Sequence, residues 1–181
     1  SHSYLFVGIE GIGKKMLATE FAKKTLCIES EQDCQCKSCK EFDGNNHPDF
    51  MCIEPDGNNI KIEQIRFLQK KIQEKPIVSN KKVYIVVNAD TMTSEAQNCL
   101  LKTLEEPPEF ATIILIGSNE NAFLPTIKSR CMIFHFQPIE LQKIKQYIEE
   151  NYGMYDLPLN YIEMSQGSIG KAIYLKPSKS R

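Results

Sequence analysis

Eight residues near the start, Gly8-Ile9-Glu10-Gly11-Ile12-Gly13-Lys14-Lys15, constrain this chain more than any other stretch. They follow the apolar run Tyr4 to Val7 and precede an amphipathic pattern, which makes them the turn from a strand into a helix. Such a turn can cradle phosphate, because glycine lets the backbone approach and the helix N-terminus offers free N–H groups. Gly8, Gly13 and Lys14 fit G-x-x-x-x-G-K-[ST], but Lys15 stands where a hydroxyl would hold magnesium. An ammonium repels that cation and cannot ligate it. Whether the loop serves a complete nucleotide site has to be read from the rest of the chain.

The pattern beyond the loop alternates between helix and strand. Leu17, Phe21 and Leu26, with Ala18 and Ala22, form an apolar stripe that predicts a helix over 14–26 with this face inward. The polar, turn-rich segment 27–46 reads as a loop module, followed by a short strand over 49–53 and a turn at Pro55-Asp56-Gly57-Asn58-Asn59. Ile60, Ile62, Ile65, Leu68 and Ile72 share one helical face, and Pro76 stops that helix. The run 82–87 (KVYIVV) has the composition of a strand buried on both faces. Thr93 is the expected N-cap of a helix over 94–105, which buries Ala96, Leu100, Leu101 and Leu104 and ends before Pro107-Pro108. A buried strand over 112–117, a short helix over 124–129 and a last strand over 132–136 complete the series.

Strands alternating with helices specify an α/β domain with a mostly parallel sheet, whose ligands bind at the carboxyl ends of the strands. From Gln137 the strand signals stop, and 139–151, 159–165 and 168–175 read as three short helices. The expected division is therefore an α/β domain over 1–137, a small all-helical domain over 138–176 and a polar tail over 177–181. The short lead before the first strand and that tail read as the ends of a fragment. There is no internal repeat.

Composition narrows the class. A hydrophobic fraction of 41% supports a real core, while runs such as Ile113 to Ile116 are far too short to span a bilayer. The formal net charge of −1 lacks the basic excess that accompanies nucleic-acid binding by a whole chain, so any DNA contact is local or shared with partners.

Of seven cysteines, Cys27, Cys34, Cys36 and Cys39 fall in one polar loop. Four thiolates suffice for a closed tetrahedral zinc site, and a structural zinc would order a segment that has little apolar surface of its own. Cys34 and Cys36 are separated by one residue where such sites usually have two. Cys52, Cys99 and Cys131 lie in apolar surroundings and read as core residues, and His47 before Pro48 reads as a turn residue rather than a ligand.

Residues 82–108, KVYIVVNADTMTSEAQNCLLKTLEEPP, together with 124–131, LPTIKSRC, closely resemble the clamp-loader subunits of bacterial DNA polymerase III, members of the AAA+ superfamily. The resemblance extends over nearly the whole chain. It implies a P-loop parallel sheet flanked by helices, with a four-cysteine zinc insert and a helical lid. Some subunits of that family hydrolyse ATP, using an Asp-Glu pair at the end of the central strand to hold magnesium and orient water. Aligned through Leu-Leu-Lys-Thr, this chain has Val87 and Asn88 there, and Asp90 lies two residues too late. Gly170 stands where active members carry a lid arginine; its neighbour Lys171 points about 100° away on a helix. Asn119 matches the polar sensor position, although an Asn after a strand is often only a turn former.

Departures at Lys15, Val87, Asn88 and Gly170 all fall on the hydrolytic parts, and the pattern resembles that of the delta-prime type of subunit. The resemblance thus implies a cytoplasmic replication protein that takes part in loading the sliding clamp onto primed DNA beside ATPase (gamma/tau-type) and delta-type subunits. It implies structural zinc, no magnesium site and no turnover of ATP by this chain. Gly8, Gly13, Lys14 and Asn119 would be the remains of a nucleotide site, and Arg130 of Ser-Arg-Cys an arginine finger for the neighbouring subunit's nucleotide. Two alternatives stay open at this level. One is an ATP-hydrolysing gamma/tau-like subunit; the other is a zinc-bearing nucleic-acid-binding module with a vestigial P-loop.

Overall fold

A computed structural model of the chain describes residues 3–29 and 33–153. They divide into a sheet unit, running to Val7 and again from Lys15 to Phe134, and a second unit made of Gly8–Lys14 and the residues from His135 onward. The helices expected over 159–165 and 168–175, with Gly170 and Lys171, lie outside the described residues.

In chain order the elements are β1 (Ser3–Val7), α1 (Lys14–Leu26), α2 (Lys37–Asp43), β2 (Phe50–Ile53), α3 (Ile62–Ile72), β3 (Lys82–Val86), α4 (Ser94–Glu105), β4 (Ala111–Gly117), α5 (Pro125–Lys128), β5 (Met132–His135) and α6 (Leu141–Tyr152). Short 3-10 turns cover Ala89–Thr91 and Glu120–Ala122. The five strands lie in the order β2-β3-β4-β1-β5. The β2–β3, β3–β4 and β1–β4 ladders are all parallel, with Tyr84 opposite Ile113 and Leu5 opposite Leu115. This is the α/β architecture with a parallel sheet that the alternation of patterns predicts.

The core follows from composition. Every residue of β3 and β4 is buried, as near-continuous apolar runs require when helices cover both faces. Ile65, Leu68 and Ile72 of α3 and Ala96, Leu100 and Leu104 of α4 are almost fully buried in the same cluster as Tyr84, Val86, Ile113 and Leu115. Thr93 caps α4 as its sequence predicts, its hydroxyl accepting from the N–H of Ala96. Between α3 and α4, the amide of Gln69 donates to the Cys99 carbonyl at 2.7 Å and to the Thr103 hydroxyl at 3.1 Å.

Three expectations need correction. Segment 27–46 is not wholly loop: α2 forms within it, capped by the Cys36 sulfur, which accepts from the Cys39 N–H. Leu17 and Phe21 are about half exposed, whereas Ala18, Ala22 and Leu26 are fully buried. The buried stripe of α1 is thus centred on its small residues, and Phe21 packs edge-on against Tyr4. Cys52 is exposed on β2, at the border of the sheet, and Cys99 and Cys131 are only partly buried against the core. His47, directly before the turn at 48–49, is buried, with partners on both ring nitrogens.

In the second unit, Ile144 and Ile148 of α6 are fully buried. Gly153, in left-handed backbone, follows and caps the helix. Among the described residues no helix is long and apolar enough to cross a membrane.

Candidate functional site

The loop after β1 is shaped by its glycines. A Cβ at Gly8 would lie 2.8 Å from the Cβ and the carbonyl oxygen of Phe136, so only glycine admits that backbone. Gly11 and Gly13 take φ of 78° and 104°, conformations that a side chain would strain. Lys14 is buried and donates to the carbonyls of Gly8 and Ile9, the latter at 2.8 Å. Its ammonium therefore closes the loop on itself.

Lys15 points to the sheet unit, where it pairs with Glu54 just after β2 at 2.6 Å. That hydrogen bond holds the Lys15 ammonium above its ordinary pKa. The Lys15 charge is thus kept at neutral pH and locally neutralised.

At the end of β3, Val87 continues the ladder through its N–H to the Ile53 carbonyl, and Asn88 turns into left-handed backbone at φ 50°. Neither presents a carboxylate. The nearby acid, Asp90, accepts from the N–H groups of Ser118 and Asn119, both at 3.0 Å. Asn119 is exposed, and its side-chain oxygen accepts from the Asn121 N–H, the geometry of a turn former. The loop after β4 is also fixed from α4. Gln97, buried, donates to the carbonyl of Ala122 at 2.9 Å and accepts from the N–H of Leu124 at 2.8 Å. Sequence alone does not single out Gln97, and it sets Asp90 aside as two residues too late. Their signal was a polar residue on the inward face of an amphipathic helix in one case, and an acid one turn past a buried strand in the other.

Arg130 follows α5 and is held by its own chain. Nη1 donates to the Thr126 carbonyl at 3.0 Å and to the Ser129 hydroxyl at 3.3 Å, and Nη2 pairs with Glu105, the last residue of α4, at 2.5 Å. Cys131 packs against the core, where burial pushes its thiol up to about 12. The three residues of Ser-Arg-Cys thus divide the work of bracing, presenting charge and anchoring.

The four cysteines of the insert converge. The sulfurs of Cys27, Cys34, Cys36 and Cys39 lie within 4.8 Å of one another, and those of Cys27 and Cys36 are 4.0 Å apart. Four thiolates around zinc at about 2.3 Å stand roughly 3.8 Å from each other, so this cluster fits the ion with small shifts. The single residue between Cys34 and Cys36 does not prevent convergence. It lets the Cys36 N–H donate to the Cys34 sulfur at 3.3 Å, while the Cys39 N–H donates to the Cys36 sulfur at 3.5 Å. Burial works against a thiolate at Cys36, yet the N–H groups of Cys39 and Ile28 and the neighbouring thiols bring it down to about 6. At Cys34 the Cys36 N–H pulls downward, but burial and the contacts to Cys36, Cys27 and Glu29 leave it at about 11. Burial also raises Cys39.

Within the sheet unit, a chain of buried hydrogen bonds joins this insert to the end of α1 and the segment before β2. The Asp49 N–H donates to His47 Nδ1 at 3.0 Å, so the neutral ring carries its proton on Nε2 and donates to the Ser38 hydroxyl at 2.8 Å. Ser38 donates in turn to the Leu26 carbonyl at 2.6 Å. The Asp49 carboxylate, fully buried, accepts from the N–H groups of Ile77, Val78 and Ser79 at 2.7, 2.8 and 2.7 Å.

Residues 1–140 match the family described as DNA polymerase III, delta subunit. The chain is 41% identical over 152 residues to the DNA polymerase III subunit delta' of Bacillus subtilis, covering 83% of this chain and 46% of that protein. It is 33% identical over 183 residues to the subunit tau/gamma of Haemophilus influenzae, covering 96% of this chain and 26% of that one. The chain spans less than half the length of these relatives. Among solved structures, a DNA polymerase III gamma subunit-related protein from Thermotoga maritima superposes with a TM-score of 0.63 at 26% identity, over 96% of this chain and 52% of that one.

Proposed function

The chain belongs to the DNA polymerase III delta-subunit family, in its delta-prime type, and from that premise we propose that it serves the clamp loader by contact rather than by turning over ATP. The observation that carries this reading is at the end of β3. Asn88 and Val87 offer no carboxylate, and the one on Asp90 is committed to the Ser118 and Asn119 N–H groups. Magnesium-assisted cleavage of a phosphoanhydride needs an acid free to hold the metal and another to orient water. Lys15, paired to Glu54, and Lys14, bonded to its own loop, support the same reading. Gly8, Gly13 and Lys14 then act as an architectural turn, and Asn119 shapes the loop after β4.

Arg130 acts in trans on this reading, donating to the γ-phosphate held by an adjacent gamma/tau-type subunit. Delta-type subunits, the sliding clamp and primed DNA are its further partners through the assembly. Cys27, Cys34, Cys36 and Cys39 hold a structural zinc in the insert of about 27–46. On this reading α6 opens the helical lid domain expected over 138–176, of which only the part to Gly153 belongs to the described residues.

The test uses the full-length subunit, alone and in the reassembled loader. Alone it should show no magnesium-dependent ATP hydrolysis. In the loader, Arg130→Ala should leave assembly intact and depress ATP hydrolysis by at least tenfold, given what a finger of this kind contributes. Turnover by the isolated subunit would assign it instead to the gamma/tau-like, hydrolysing class, and unchanged hydrolysis by the Arg130→Ala loader would remove the finger.

A further inference from the structure

We propose that Glu105 is a positioning residue for Arg130, fixing the guanidinium so that its remaining donors face an oxyanion outside this chain. The inference rests on the reading of Arg130 given above and adds to it a residue on a different helix.

A guanidinium has five N–H donors in one plane. In Arg130 both donors of Nη1 are used, on the Thr126 carbonyl and the Ser129 hydroxyl, and one donor of Nη2 is used on Glu105. The Nε–H and the second Nη2–H have no partner among the described residues. The side chain stays 32% exposed. Two bonds within the α5 turn alone would leave the plane free to swing about its anchored edge. The third, from α4, stops that rotation and leaves two donors for an incoming phosphate oxygen, the fork geometry that suits such a group.

The place of Glu105 argues for a role beyond surface charge. It is the last residue of α4, at the negative end of the helix dipole, where an acidic side chain is disfavoured. The Pro107-Pro108 pair that follows prevents the helix from continuing and so keeps the carboxylate at this level. An acid held against the dipole, with the arginine as its ion-pair partner, is consistent with a position set by what it supports.

Steady-state ATP hydrolysis by the reassembled loader, with clamp and primed DNA, separates this proposal from the reading beneath it. Glu105→Ala should lower kcat by roughly ten- to a hundredfold with KM for ATP unchanged, the effect of a misplaced group rather than of a lost binding contact. Glu105→Gln keeps the shape and an acceptor oxygen but not the charge, and should fall between Glu105→Ala and the parent. If Arg130→Ala itself leaves kcat unchanged, the finger reading fails and this proposal with it. If Arg130→Ala lowers kcat and Glu105→Ala does not, or raises it, only the role of Glu105 is overturned. Should Glu105→Ala fail to assemble, Glu105→Gln decides, and a parental kcat in that variant overturns the proposal.

Discussion

Asp90 holds Asn119 in place through the backbone: its carboxylate accepts from the N–H groups of Asn119 and Ser118, each at 3.0 Å. An acid one turn past a buried strand would, in a hydrolytic site, be a candidate metal ligand. Here it orders the loop after β4. Asp90→Ala should therefore destabilise the fold by about 0.5–1.5 kcal/mol, since water can replace the acceptor at these exposed donors, and Asp90→Asn by less, since the amide oxygen still accepts. Urea unfolding measures this; equal stability in all three proteins would contradict the role.

Gly8→Ala places a Cβ 2.8 Å from backbone and Cβ atoms of Phe136. Neither neighbour is the flexible end of a side chain, so the loop has to move. A loss of about 1–3 kcal/mol is expected, in the range of an overpacked site. Thermal unfolding of this variant should show a lowered Tm, and an unchanged Tm would mean that the approach is not needed.

Metal analysis of protein purified without chelator should find one zinc per chain, held by Cys27, Cys34, Cys36 and Cys39. Cobalt should replace it with intense thiolate charge-transfer absorption, and Cys36→Ser, which removes the sulfur that also caps α2, should abolish that signal. Zinc-free protein that retains full helix content would count against a structural ion.

His47 should make stability depend on acidity. Burial holds its pKa below the ordinary value, against the opposing pull of Asp49 and Glu41. The unfolded chain then binds more protons than the folded one below about pH 6.5, so stability is present above that pH and falls as pH drops toward the folded-state pKa. Protonation also removes the Nδ1 lone pair that accepts from Asp49. His47→Gln should flatten the stability profile below about pH 6.5. A profile as steep as the parent's would assign the acid sensitivity to other groups.

Local pattern accounts for much of the architecture. The runs over 82–87 and 112–117 announce buried strands because both faces are apolar, and Thr93 with Pro107-Pro108 brackets α4 because caps and breakers act within a turn. The cysteine cluster is legible for the same reason, since ligand type and spacing are local. The exposure of Leu17, Phe21 and Cys52 was not legible. A stripe of apolar residues tells that a helix has an inward face, but whether small or large side chains occupy its centre depends on how closely α1 meets the sheet.

By itself the amino-acid order determined the alternation of strands and helices, the glycine loop with Lys15 in place of a hydroxyl, and the four thiols in one segment. Tertiary structure alone decided the partners of the charged and polar groups. Lys15 meets Glu54, Asp90 meets the loop after β4, His47 meets Ser38 and Arg130 meets Glu105. These pairings join residues 9 to 39 positions apart, and no periodicity encodes them. Lys15–Glu54 and Asp90–Asn119 arise where strands of a parallel sheet end and bring distant loops within reach, whereas His47–Ser38 and Arg130–Glu105 join a helix to the segment leading into a strand.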